Sequence, residues 1–194
     1  MQAESPDALA RAKRVALKRA KRIALERAKR VRLMLFDVDG VLTDGTLWYG
    51  PRGETLKAFH SLDGHGVRML GASGVKVAIL SGRSSRAVSV RAAELGIEQV
   101  LQGALDKRAA FESLLARLGI GPEAAGYMGD DVVDLPVLER CGFACSPPGA
   151  PPAVTGRVHY VAQAPAGRGA VREVCELVMR AQGTLETALR ADLA

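Results

Sequence analysis

The sequence predicts an α/β fold, with a parallel sheet covered by helices on both faces. Three observations lead there. Short apolar runs rich in strand formers alternate with segments of helical period. The intervening segments are long enough for crossover connections between parallel strands. Aspartates and a serine cluster at the carboxyl ends of the runs, where an open parallel sheet holds its ligand crevice.

The elements follow in order. Residues 31–38, "VRLMLFDV", form a first buried strand. Residues 46–60 carry Gly50, Pro51 and Gly53 between two strand-like runs and read as a hairpin. A helix over 63–74 ends at glycine, and "VKVAILSG" (75–82) is a second strand. Residues 84–97 are a helix with a serine cap and a glycine stop. A short strand over 99–104 precedes a helix over 106–120. "AGYMGDD" (125–131) is a strand running into carboxylates. A short helix (134–142), strands over 143–147 and 159–164, and a helix over 169–183 complete the body.

At 194 residues the chain suits one domain with a single core. No window holds the ~18 uninterrupted apolar residues of a membrane span, and the N-terminus lacks a signal peptide's apolar core. Cys141, Cys145 and Cys175 are too scattered for a disulfide framework, so the chain reads as a reduced cytoplasmic protein. The net charge of +6 is uneven: residues 1–32 carry +8, and the remaining 162 carry −2. This basic arm, residues 1–25, repeats "RAKRVALK", "RAKRIALE" and "RAKRVRLM" from Arg11, Arg19 and Arg27. An eight-residue step drifts by roughly 80° round a helix, so Val15, Ile23 and Val31 form no stripe for docking. No aromatic stacking residue accompanies the charge, which argues against a nucleic-acid partner. The arm is expected to be a solvated, partly frayed helix, with the folded domain over 26–183 and a free tail over 184–194.

Asp37, Asp39, Asp130, Asp131 and Asp134 all follow strands and would repel one another in one crevice. A cation relieves that, and an all-oxygen donor set points to Mg²⁺. Such a site with a spare carboxylate, a serine and a lysine suits phosphoryl transfer. Asp44, in "TDG", reads equally as a turn residue.

"DVDGVLTDG", "LSGR", "LDK" and "GDDVVD", in that order, resemble the four motifs of the haloacid dehalogenase superfamily of phosphohydrolases. "AFHSLDGHGVRML", "YMGDDVVDLPVLERCG" and "GRGAVREVCELVMRAQG" narrow the resemblance to the 3-deoxy-D-manno-octulosonate 8-phosphate phosphatases, over about residues 26–185. The resemblance implies a three-layer, Rossmann-like fold without a cap domain. It implies Asp37 as nucleophile and Asp39 as general acid and base, with Ser81 and Lys107 on the phosphoryl oxygens. Asp37, Asp130 and the Asp39 carbonyl would hold Mg²⁺. Asp131 would orient a metal-bound water, and Asp134 would orient Lys107 or the metal loop. Arg68, Arg83 and Arg91 fall at the family's substrate arginines, and His60, Ser61, Asp63, Gly64 and Gly82 line its substrate site. Family members often carry asparagine where His60 stands.

About fifteen residues separate Gly45 from His60, too few for a cap. The hairpin's Leu47, Trp48, Tyr49, Leu56 and Phe59 call for a partner surface, which the family supplies as a homotetramer. The implied substrate is the eight-carbon sugar-acid phosphate of lipopolysaccharide core synthesis. Alternatives are a nine-carbon sialic-type acid phosphate, a promiscuous phosphate-ester hydrolase, or a regulatory module docked on a nucleotide-sugar transferase.

Overall fold

The apolar runs of the body emerge as strands, six in one parallel sheet and two in the hairpin. The computed structural model describes residues 6–51 and 53–191. Its strands are β1 (Leu33–Phe36), β2 (Trp48–Gly50), β3 (Gly53–Leu56), β4 (Lys76–Leu80), β5 (Gln99–Leu101), β6 (Ala125–Met128), β7 (Phe143–Ser146) and β8 (Tyr160–Val161). Six of them form a parallel sheet in the order β5-β4-β1-β6-β7-β8, while β2 and β3 pair antiparallel as the expected hairpin. The turn residue Arg52 lies outside the described residues.

The helices are α1 (Pro6–Ala28), α2 (Ser61–Ala72), α3 (Arg86–Glu94), α4 (Lys107–Leu118), α5 (Leu135–Leu138), α6 (Pro152–Thr155), α7 (Ala170–Gln182) and α8 (Leu185–Ala191). Alternation along the central strand divides the core between two faces. Met34 and Phe36 join Ile79 and Met128 under α2, α3 and α7. Leu33 and Leu35 join Leu80 and Tyr127 under α4 and α5. The three cysteines are free and buried, as expected.

The strands are shorter than the apolar runs, because their carboxyl ends open into the loops that carry the polar residues. Gly40 shows why glycine stands in the first of these loops. Its φ is +84°, and a Cβ there would lie 2.1 Å from Asp130 Oδ2. Asp44 serves its turn, accepting from the Thr46 backbone N–H at 2.9 Å.

Two expectations at the termini need correction. The basic arm is helical as expected, but the helix runs without a break over Pro6–Ala28, so the boundary drawn after residue 25 falls inside it. Its last turns dock through Ala24 and Ala28, both buried, with contacts to α7, β7 and β8. Gln182 Nε2 donates to the Ala28 and Val31 carbonyls at 3.3 and 2.7 Å, tying down the exit. The repeat's Val15 and Ile23 stay exposed, so alanines at i and i+4 make the contact. Residues 1–5 lie outside the described residues.

At the other end, Gly183 closes α7 in a left-handed conformation, as expected. The chain then folds back as α8 instead of leaving the body. Leu185 is buried, and Ala188 packs against the same core. Residues 192–194 lie outside the described residues.

Candidate active site

The crevice forms where β1, β4 and β6 end side by side. Asp37 extends β1, its N–H donating to the Met128 carbonyl at 3.0 Å. Its side chain is nearly buried and faces Lys107, the first residue of α4, with Nζ 3.1 Å from Asp37 Oδ2. The same ammonium lies 2.6 Å from Asp134 Oδ1. Asp134 is fully buried and wholly committed. It accepts the Tyr127 hydroxyl at 2.5 Å on Oδ1, and the N–H groups of Asp130 and Asp131 at 3.0 and 3.1 Å on Oδ2. It therefore fastens both the lysine and the loop after β6.

Oxygens of Asp37, Asp130 and Asp134 lie within 4.8 Å of one another. Burial first, and then the Asp134 charge, push the Asp37 carboxyl up to about 6 despite Lys107. Burial, with Asp37 and Asp134 next, pushes Asp130 up to about 7. Burial alone would lower the Lys107 pKa, but the carboxylates of Asp37 and Asp134 more than offset it and raise it. Two acids held this far above their ordinary range, with oxygen donors on every side, fit a hard divalent cation bridging Asp37 and Asp130. Asp134 is occupied by its hydrogen bonds, which leaves those two carboxylates for the cation.

Asp39 stands two residues on, at the mouth. One carboxylate oxygen, Oδ1, is ion-paired with Lys57. The other, Oδ2, is buried without a hydrogen-bond partner and lies 3.6 Å from Arg83 Nε. Ser81 follows β4, is buried, and accepts the Arg83 N–H at 3.3 Å. Gly82 passes over the Lys107 stem, where its Cβ would stand 4.0 Å from Cε. Arg83 is half exposed; Nη2 donates to the Tyr49 hydroxyl, and its guanidinium carbon is 5.7 Å from the centre of that ring. Asp37, Asp39, Ser81, Arg83, Lys107, Asp130 and Asp134 thus share one crevice.

The other expected residues divide. Asp63 is buried and caps α7, accepting from Gly169 N at 3.1 Å and Arg172 N at 2.9 Å. Both its oxygens serve this junction, which corrects its expected place on the substrate. His60 caps α2 through Nδ1, 3.3 Å from Leu62 N, and Ser61 is exposed at the start of that helix. Gly64 makes room for Arg91: a Cβ would lie 2.0 Å from Arg91 Nη2. Arg91 also pairs with Glu94 at 2.9 Å and lines a small cleft with His60 and Asp63. Asp131 is exposed and caps the next turn, accepting from Val132 N at 2.7 Å. Arg68 is exposed on α2. Seven residues along α2 carry it about 10 Å from Ser61, into a cavity of about 660 Å³ with Lys76, Glu98 and Ala188. That cavity opens at the amino ends of β4 and β5, the far end of the sheet, where α8 also lies.

No family model matches the chain. The 3-deoxy-D-manno-octulosonate 8-phosphate phosphatase of Escherichia coli K12 is 46% identical over 157 residues, 81% of this chain and 84% of that protein. The chain belongs to this phosphatase family. The crystal structure of the Moraxella catarrhalis phosphatase in complex with magnesium, phosphate and KDO superposes with a TM-score of 0.84 at 40% identity, covering 87% of this chain and 97% of that one. A Legionella pneumophila protein described as a haloacid dehalogenase superfamily (subfamily III A) hydrolase gives 0.88 at 36% identity, covering 92% and 98%. The fold is accordingly the three-layer haloacid dehalogenase-like one, without a cap domain among the described residues.

Two residues of this family member escaped the sequence reading. Tyr127 is a fully buried strand residue whose hydroxyl serves Asp134, and burial first pushes its pKa well up. Lys57 stands in "TLKAFH", where a lysine inside an apolar run was the available signal. Its side chain is 1% exposed.

Proposed function

We propose that this chain is a Mg²⁺-dependent phosphatase that hydrolyses 3-deoxy-D-manno-octulosonate 8-phosphate to the free sugar acid and inorganic phosphate. The observation that carries the reading is the Asp37–Lys107–Asp134 cluster beside Asp39 and Asp130, in a chain 46% identical to phosphatases of that name. Asp37 and Asp130, with the Asp39 carbonyl, would hold the cation. The cation supplies charge neutralisation for an approaching phosphate dianion. Lys107, held cationic by its two carboxylates, and Ser81 bind phosphoryl oxygens.

Asp37 Oδ attacks phosphorus as the bond to the sugar oxygen breaks, and Asp39 gives its proton to that oxygen. Water then attacks the aspartyl-phosphate and passes a proton to Asp39, which frees phosphate and restores Asp37. The orphaned Asp39 Oδ2 is the acceptor that such a proton exchange requires. Arg83, at the mouth, suits the substrate carboxylate. Arg91 and His60 line the adjoining cleft.

The cytoplasmic location and the homotetramer belong to the same proposal. Trp48, Tyr49 and Leu56 are 55%, 62% and 65% exposed on the hairpin, a surface suited to burial against another subunit. A phosphate-release screen with Mg²⁺ tests the function. It should show strong preference for the eight-carbon acid phosphate over nine-carbon and hexose phosphates. Similar rates on all would refute the substrate assignment.

A further inference from the structure

The hairpin delivers a buried cation to the site that the superfamily motifs do not contain. Lys57 follows β3 directly, and the Trp48↔Leu56 pairing fixes the strand end from which it leaves. Its ammonium pairs with Asp39 Oδ1, eighteen residues away in sequence. Burying a lysine this thoroughly is unfavourable unless its ammonium is hydrogen-bonded, and Asp39 Oδ1 accepts from it. The pairing occupies one carboxylate oxygen and leaves Oδ2 buried without a hydrogen-bond partner. Arg83 Nε, at 3.6 Å, stands beyond hydrogen-bond reach on that second side. The backbone is set to match: Asp39 has an extended ψ of 116° inside a tight loop, and Gly40 follows at positive φ.

We propose that Lys57 is a positioning residue for Asp39. It pins one oxygen so that the other faces the scissile bond, and it stands against the negative charge that Asp39 gains as its proton moves to the leaving sugar oxygen. The inference rests on the phosphatase reading and on Asp39 as the proton donor. Its consequence is a link between the hairpin and proton transfer, because displacement of β3 would move the lysine and release the carboxylate.

The linkage predicts a leaving-group dependence. An alkyl leaving group departs only with a proton, whereas p-nitrophenolate departs without one. Lys57→Met preserves length and apolar bulk, and Lys57→Arg keeps the charge; thermal melts establish that each variant folds. Stopped-flow and rapid-quench first turnovers with Mg²⁺ would then compare p-nitrophenyl phosphate with the sugar-acid phosphate. For Lys57→Met, first-turnover cleavage of the sugar-acid phosphate should fall about 100-fold, with KM changed by less than about threefold. The nitrophenol burst should keep its rate within about threefold and approach one equivalent per site, since the later water attack still needs Asp39 as base. Lys57→Arg should recover about tenfold of the loss by restoring the charge.

Equal losses on both esters, a loss confined to KM, no loss on the alkyl ester, or no recovery with arginine would overturn the proposal. The wild-type enzyme tests the substrate reading separately. Equal wild-type rates on glucose 6-phosphate and the sugar-acid phosphate would refute that reading alone, and the alkyl-against-aryl contrast would then be read on glucose 6-phosphate. A wild-type enzyme that cleaves no alkyl ester overturns both.

Discussion

Asp37→Asn should abolish turnover and at the same time raise the melting temperature of the chelated protein. The magnitude follows from the site's electrostatics. The Asp37 carboxyl titrates near 6 in the fold against 3.8 for an unperturbed aspartate. Two pKa units correspond to about 3 kcal/mol of opposition to folding once the group is ionised. The sign is set by proton uptake. Below about pH 4 both states are protonated and the penalty is absent. Between 4 and 6 the folded state holds a proton that the unfolded chain has released, so stability falls as pH rises. Above about 6 the penalty is complete.

Asparagine removes the charge but turns an amide towards the Lys107 ammonium, 3.1 Å away, and that offsets part of the gain. A net stabilisation of about 1–2 kcal/mol remains, or about 2–8 °C in Tm for a domain of this size. Differential scanning calorimetry at pH 7.5 after chelation, repeated at pH 4, measures it directly. The wild-type protein should recover the difference on adding Mg²⁺, whereas the variant should gain much less. A variant that melts at or below wild type at pH 7.5, or a difference indifferent to pH, would refute the reasoning.

Further expectations concern the surrounding shell. Tyr127→Phe deletes the hydroxyl on Asp134 and should cost about 1.5–3 kcal/mol by thermal melting, with only a few-fold fall in kcat because Lys107 stays paired to Asp134. Asp63→Ala uncaps α7 and should cost about 2 kcal/mol with KM held within about threefold, as steady-state assays would show. A large rise in KM without loss of stability would put Asp63 back on the substrate. Ala28→Arg should lower Tm by several degrees by overpacking the α1–α7 contact, while kcat/KM stays unchanged. Chelator should remove activity and Mg²⁺ should restore it, since Asp37 and Asp130 repel each other; full activity after exhaustive chelation would contradict the metal assignment.

Much of the site was legible because strand ends and carboxylates coincide in the sequence. An apolar run that stops at Asp37 predicts both the strand and the crevice, and the order of the four motifs predicts which strands lie together. The residues read less well were those whose partners are remote. Asp63 is a carboxylate in the first turn of α2, and nothing local reveals that its two oxygens are taken by Gly169 and Arg172, more than a hundred residues on. Arg68 follows the right motif, and only the helical rise shows that it lines the cavity at the amino ends of β4 and β5. Valine and isoleucine positions in the arm predict its exposed stretch, but its docked last turn is carried by small alanines, Ala24 and Ala28, that give no apolar stripe. Tyr127 and Lys57 were passed over because a strand tyrosine and a hairpin lysine announce no chemistry until tertiary structure sets them against Asp134 and Asp39.

Catalysis by this mechanism turns on a covalent intermediate at one aspartate. Rapid quench of the wild-type enzyme during turnover of 3-deoxy-D-manno-octulosonate 8-phosphate, followed by borohydride reduction and peptide mass spectrometry, locates it. Asp37 should be reduced to homoserine, only in the presence of substrate and Mg²⁺. Turnover of that substrate with Asp37 unmodified, or with the mark on Asp39 or Asp130, would contradict it.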